Sequence, residues 1–354
     1  MKRSSVGIML LVACAVPFSA QEFKQPDARA QRIEKSALSL LYRFRTIDHP
    51  GAQGDQALGV NYSGEIVGQY FLSGEELVHG YLFGGGKFTT VDFPGALGTS
   101  ADGINDSGAV VGSYTASDGT GHGFRLSNGV IETLDVPNGT NTIASGINNS
   151  GQIAGLYQDT SGTQHGFLDT SGTFQDIDFP DATATAALGI NSSQEISGWY
   201  QLGDGTTHGF LYSSGSFETI DFPGASYTVA YGINDSGEIV GWYQTPEGRA
   251  NGFLYLNGTF VQIDVPNASQ TEPVAISRTN EIVGIYYASG SGIDNGFMAI
   301  RIPAKRESIA RARRLGVRGL WRGRPFASLQ SSPFPRFSAP ASFPQDKLLK
   351  TQVK

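Results

Sequence analysis

Between Tyr42 and Pro303 apolar residues come in short runs that alternate with polar positions, and each run is cut off by a cluster of Asn, Asp, Ser and Gly. Alternation of this kind marks half-buried strands, and such clusters mark the turns between them. In Gly232 to Val274 and the few residues before it, the pattern predicts four strands and no helix. Ala230 to Asn234 is short and apolar, and Asp235-Ser236-Gly237 then turns the chain. Glu238 to Tyr243 returns, and Asn251 to Tyr255 and Phe260 to Asp264 follow, joined by Asn257-Gly258, the dipeptide that two-residue hairpins favour.

Near copies of this unit begin at Gly59, Gly103, Gly146, Gly189 and Gly232, spaced 44, 43, 43 and 43 residues, with a truncated copy from Ala275. A fixed period of this length is the mark of a repeat architecture whose units bury their apolar faces on one another. Within the units His79 and Asp92, His122 and Asp135, His165 and Asp178, His208 and Asp221, and Asn251 and Asp264 are each 13 residues apart. If each pair faces across a hairpin, the two turn residues between them are Gly85-Gly86, Asn128-Gly129, Ser171-Gly172, Ser214-Gly215 and Asn257-Gly258, all ending in glycine.

The two ends of the repeat array are incomplete. Tyr42 to Ala52 reads as the last strand of a unit whose first three strands are missing, while Ala275 to Ile300 supplies three strands and no fourth. Together they make one unit, which predicts an all-β, six-bladed β-propeller of four-stranded blades, its ring closed by the N-terminal strand. In that final unit Asn295 would face Asp48. An open solenoid would leave the split unit unexplained.

Composition alters this picture only at the ends. Residues 1–20 have a basic start and an apolar run from Val6 to Phe18, as in a secretory signal peptide. Leu11-Val12-Ala13-Cys14 also resembles a lipobox, so simple secretion and lipid anchoring through Cys14 both stay open. Cys14 is the one cysteine, which leaves the repeats without a disulfide. Residues 21–41 read as a linker and 42–303 as the propeller. Residues 304–354 carry 12 Lys or Arg against Glu307 and Asp346, with many Pro and Ser, and read as a disordered basic tail. The overall charge of -7 hides 30 acids against 11 bases over residues 21–301.

The repeated polar residues invite functional readings. Four histidines on equivalent third strands lie too far from the axis to share a metal, so each is expected to bond the aspartate across its own hairpin. Tyr70, Tyr114, Tyr157, Tyr200, Tyr243 and Tyr286 are expected to pack between blades. Asn61, Asn105, Asn148, Asn191 and Asn234, with Ser277, either ring the channel mouth or hold their own turns through Asx bonds. In the loops after the second strands Glu75, Glu76, Asp118, Asp159, Asp204, Glu247 and Asp294 supply an acid to every unit, which predicts an acidic binding rim for a cationic ligand, a calcium-bridged glycan or the basic tail. No nucleophile motif, phosphate loop or Cys-His cluster is present, so no catalytic residue is expected. No cofactor is expected, with calcium the one ion the acidic loops suit.

The segments GINDSGEIVGWY, HGFLYSSGSF and TIDFPGA, repeated in register, resemble the HAF-repeat family of bacterial extracellular proteins, over about residues 42 to 301. His-Gly-Phe becomes His-Gly-Tyr at 79 to 81 and Asn-Gly-Phe at 251 and 295, so a uniform role for the histidine is not implied. The resemblance implies export and carries no activity with it. The expectation is a secreted, extracellular or periplasmic monomer that binds a carbohydrate, peptide or cell-envelope ligand and no nucleic acid, and meets a membrane only if Cys14 is lipidated. The alternatives are a propeller enzyme, a lyase or hydrolase acting on polysaccharide, and a structural or adhesive surface repeat.

Overall fold

A computed structural model describes residues 42–75, 77–290 and 293–302. The leader with Cys14, the linker, the basic tail and Glu76 lie outside the described residues. Among the described residues every regular element is a strand, 24 in all. In the unit read above, Thr228–Ile233, Ile239–Gln244, Ala250–Leu256 and Thr259–Ile263 form one antiparallel meander. Asn257 and Gly258 both take positive φ, 47° and 79°, as the twist-matched hairpin turn requires, and the four equivalent turns do the same.

Four meanders are separate four-stranded sheets and the remaining eight strands form one sheet, which corrects the expectation of six separate sheets. The eight-stranded sheet is two meanders joined where Val78 and Gly98 pair in parallel. Tyr42–Ile47 pairs antiparallel with Asp294–Arg301, from Tyr42 opposite Arg301 to Ile47 opposite Gly296, so the first strand of the chain completes the last sheet. The inner strands Ala52–Val60, Gly98–Ile104, Thr140–Ile147, Ala184–Ile190, Thr228–Ile233 and Ala268–Ile276 pack each against the next, and the last packs against the first. The fold is an all-β propeller with four-stranded blades.

Its apolar core lies between meanders. Each cluster joins two neighbours, as where Val67 and Val91 meet Ala101, Val110 and Phe124. The aromatic residue of each His/Asn-Gly-aromatic motif, namely Tyr81, Phe124, Phe167, Phe210, Phe253 and Phe297, is 0% exposed. Burial of each stabilises the ring by roughly 1.5–3 kcal/mol. Nearer the axis, glycine sets the spacing. A Cβ on Gly146 would come 2.5 Å from the Leu188 carbonyl oxygen, and one on Gly232 2.6 Å from that of Val274, so the inner strands approach as only glycine allows. At the equivalent place the last unit has Ala275.

Deleting Tyr42–Ile47 should expose the edge of Asp294–Arg301 and uncover Phe297, against which Phe44 packs at a centroid distance of 6.0 Å. The expected outcome is aggregation or a large fall in melting temperature by calorimetry with size-exclusion analysis; an unchanged melt would contradict closure by this strand.

Candidate functional site

At one end of the axis the inner strands finish in the repeated Asn turns. Each Asn does two jobs, which unites the two sequence readings. The Asn105 Oδ1 accepts from the backbone N–H groups of Ser107 and Ala109, at 3.1 and 3.0 Å, closing its own turn. Its Nδ2 donates to the Asn148 carbonyl at 3.0 Å, in the next unit. Asn61, Asn148, Asn191 and Asn234 repeat the link to Asn105, Asn191, Asn234 and Ser277 at 3.2, 3.1, 3.2 and 3.4 Å. The chain of links stops at Ser277, whose short hydroxyl turns to Glu281 and Thr279.

One residue farther along lie Tyr62, Asp106, Asn149, Ser192, Asp235 and Arg278. Arg278 reaches across the mouth, with Nη1 3.1 Å from Asp106, Nε 3.4 Å from Asp235 and the guanidinium 5.2 Å from the Tyr62 ring centroid. Below it is an axial cavity of ≈ 110 Å³. Asn105→Ala should remove the turn bonds and the link together and cost about 1–3 kcal/mol, measured as a lower denaturation midpoint at unchanged slope.

The cavity floor is built by β-bulges. Every inner strand slips register at an equivalent residue, and those residues are Leu58, Asp102, Ser145, Leu188, Tyr231 and Val274, all lining the cavity. A bulge re-aims the extra side chain, here toward the axis. No one residue type runs through these six. Burial pushes the Asp102 carboxyl up to about 7 despite hydrogen bonds from Ser100 and Ser113. Tyr231 is raised by burial, then by the charges of Asp102 and Glu272, so groups from three different units meet across the channel.

Two residues before each bulge the inner strands carry two kinds of side chain and strand partner. In one, Trp199 stands across from Ala186 and Trp242 across from Val229, both rings partly exposed, with Tyr227 stacked on Trp242 at 5.0 Å. In the other, Gln56 faces Gln69 and Glu272 faces Ile285. The Gln69 Nε2 donates to Gln56 Oε1 at 2.7 Å, and the Gln56 Nε2 donates to Asp294 at 2.5 Å. Glu272 is pushed up to about 7 by burial and by Asp294. Tyr231 packs with the two tryptophans and also with Leu58, Ile285 and Tyr287, so it joins the two sets.

Near this wall Asp55 replaces the threonine that in the other units receives the backbone N–H of the residue after the hairpin aspartate, as Thr99 does from Phe93. Asp55 accepts from His49 and Gly296 N–H groups at 2.9 and 2.7 Å, and burial pushes it up to about 6. A non-repeated ionisable cluster, absent from the sequence reading, therefore exists.

The four predicted His–Asp pairs form, each with Nδ1 2.8 Å from the carboxylate. Their carboxylates are not buried as expected; the aspartate side chains are 36 to 39% exposed. Asp264 instead accepts from the Gln262 amide at 2.8 Å and from Gly252 N–H, while the buried Asn251 Oδ1 has no hydrogen-bond partner. The Asn295 amide donates back to the Ile293 carbonyl, although strand register carries Asp48 to its side. The asparagine amide is shorter than imidazole, and in neither substituted unit does it bond the aspartate as histidine does.

Tyr114, Tyr200 and Tyr243 stack on Phe93, Phe179 and Phe222 of the preceding unit at 3.7, 3.6 and 3.5 Å, and Tyr70 stacks on His49, which fills the phenylalanine place. The predicted inter-blade role holds for these four.

The loop acids are engaged locally. Asp118 and Asp204 accept from Thr120 and Thr206, Asp159 from Ser161 and Thr163, and Glu75 lies 3.4 Å from His79. Asp294 stands apart from the other loop acids, against Gln56. No described contact involves Glu247. Among the described residues no group of three or more His, Cys, Asp or Glu is placed to hold a metal ion.

Burial lowers the His79 and His165 rings, but Asp92 with Glu75, and Asp178 with Asp159, outweigh it and leave both above the ordinary histidine value. The stability they add is full below that ordinary value and is lost as pH rises through the folded value. Proton NMR titration should find both titrating above free histidine. Because the pairs are part-exposed, His165→Ala should cost under ~1 kcal/mol.

No protein-family model matches the chain, and no curated protein sequence matches it. Among solved structures the similarities are distant. The fucose-specific lectin from Aleuria aurantia is 14% identical, covering 59% of this chain and 77% of the lectin at a TM-score of 0.41. AofleA from Arthrobotrys oligospora is 12% identical, covering 75% and 94% at 0.43. The PQQ-bound aldose sugar dehydrogenase from Streptomyces coelicolor is 11% identical, covering 73% and 98% at 0.43.

Proposed function

We propose that the protein is an exported six-bladed propeller that binds carbohydrate in the lower part of its axial channel, entered from the variable-loop face. Six blades follow from counting each half of the eight-stranded sheet as one, which matches the six inner strands. Export follows from the signal-like leader and the HAF-repeat resemblance. One observation carries the binding reading: Tyr231, which lines the axial cavity, packs with Trp199, Trp242 and Tyr227 and feels the charge of Glu272, which lies near Asp294 and its partner Gln56. A sugar ring has an apolar C–H face and a hydroxyl rim, and needs partners for both at once. The wall sits on rigid strands, so little ordering is lost on binding.

A polysaccharide-cleaving enzyme is the second reading, favoured by the two carboxyls near 7 in the same channel. A glycan array with product analysis tests both. The expected result is retention of a subset of glycans without cleavage, weakened at least about tenfold in Trp242→Ala or Trp199→Ala once folding is confirmed by circular dichroism. If neutralising Asp118, Asp159, Asp204 and Glu247 together abolishes binding and the tryptophan variants do not, the acidic rim is the site instead.

A further inference from the structure

The channel wall has a surplus of acceptors with no base to match. Asp102 is held by Ser100 and Ser113 alone, and Glu272 feels only burial and the like charge of Asp294. The Gln69 Oε1 on the same wall is fully buried and has no hydrogen-bond partner. Two arginines of the last two units are committed elsewhere: Arg278 holds Asp106 and Asp235 at the mouth, and Arg249 donates to the Ala268 carbonyl at 2.9 Å. Both carboxyls are partly exposed yet lack a counter-charge, and a neutral sugar would not supply one. Tyr231, which feels the charge of both, packs with Trp199 and Trp242, and aromatic rings also favour a cation through their quadrupoles.

Resting on the carbohydrate reading above, we infer that the ligand is a cationic amino sugar, its ammonium group drawn to Asp102 and Glu272 and its C–H face laid on Trp242 and Trp199. An ammonium offers three donors and one positive charge, which is what this wall lacks. N-acetylation would remove both the charge and most of the donors. Protons and the ammonium compete for the same carboxyls, because burial has raised Asp102 and Glu272 to about 7 each. The other titratable groups facing them are Asp294, Tyr231 and Tyr287. Affinity should therefore rise with pH across that value until the amine itself begins to lose its proton.

The test is calorimetric titration of the full chain with a β-1,4-linked glucosamine tetramer and its fully N-acetylated counterpart, at pH 5.5 and 7.5. At pH 7.5 the glucosamine tetramer should bind at least about tenfold tighter than the acetylated one, and weaken about tenfold at pH 5.5. The paired substitution Asp102→Asn with Glu272→Gln keeps shape and removes both charges, so the protein should fold at least as stably. That variant should lose both the preference and the pH dependence. Equal or better binding of the acetylated tetramer, or an unchanged preference in the variant, overturns the amino-sugar inference and leaves the carbohydrate reading standing. If neither tetramer binds and the glycan array is also blank, the carbohydrate reading itself fails.

Discussion

Close approach of the inner strands around the axis is the constraint on which the rest of the molecule depends. A Cβ on Gly103, Gly146, Gly189 or Gly232 would run into the backbone of the next unit, so at these four joints the strands come this close only because the side chain is missing. Once the strands are this near, each Asn Nδ2 reaches the neighbouring carbonyl, and the hydrogen-bond chain at the mouth follows. The same spacing brings Phe124, Phe167, Phe210 and Phe253 fully into the grooves between meanders. Turn, link and core are therefore three results of one distance.

Within that regular shell the channel is irregular, and the bulges are the reason. A bulge adds a residue without disturbing the pairing on either side of it, so its side chain can vary freely while the scaffold repeats. Leucine, aspartate, serine, tyrosine and valine all occupy that place. The fold thus separates residues that hold the ring together from residues free to recognise something, and places the second kind where all units meet. The outer His–Asp pairs belong to the first kind: they lie far from one another, are half-open to water, and tie each hairpin to its loop.

Most of the scaffold was legible in the sequence because it repeats. Period, hairpin register and the split unit all follow from spacing between identical residues, and the 13-residue separation placed the glycine turns where the structure has them. The pairing of Val78 with Gly98 was not legible, because it depends on how closely two neighbouring meanders approach, which no periodicity encodes. Nor were Asp102 and Glu272. They sit in columns with no common residue, so a search for repeated chemistry passes over them. Comparing the units column by column at the residues before each repeated glycine would have shown acids at 102 and 272 against apolar residues at 188 and 229. Asp55 was hidden for a different reason: its role is that of the threonine in every other unit, and only the contact to Gly296 shows that it also serves the closing joint.

The pairing of Tyr42–Ile47 with Asp294–Arg301 has a mechanical side. Tyr42 lies opposite Arg301, so the chain enters and leaves the ring at the same end of one antiparallel ladder. Tension applied between those two points would peel the ladder open one hydrogen bond at a time, the weakest way to load paired strands, and the adjoining contact between the last and first units lacks both the glycine fit and the asparagine link. Held by one end alone, the same protein carries no load across this joint. A tether on one side only is therefore the attachment this ring is built to tolerate.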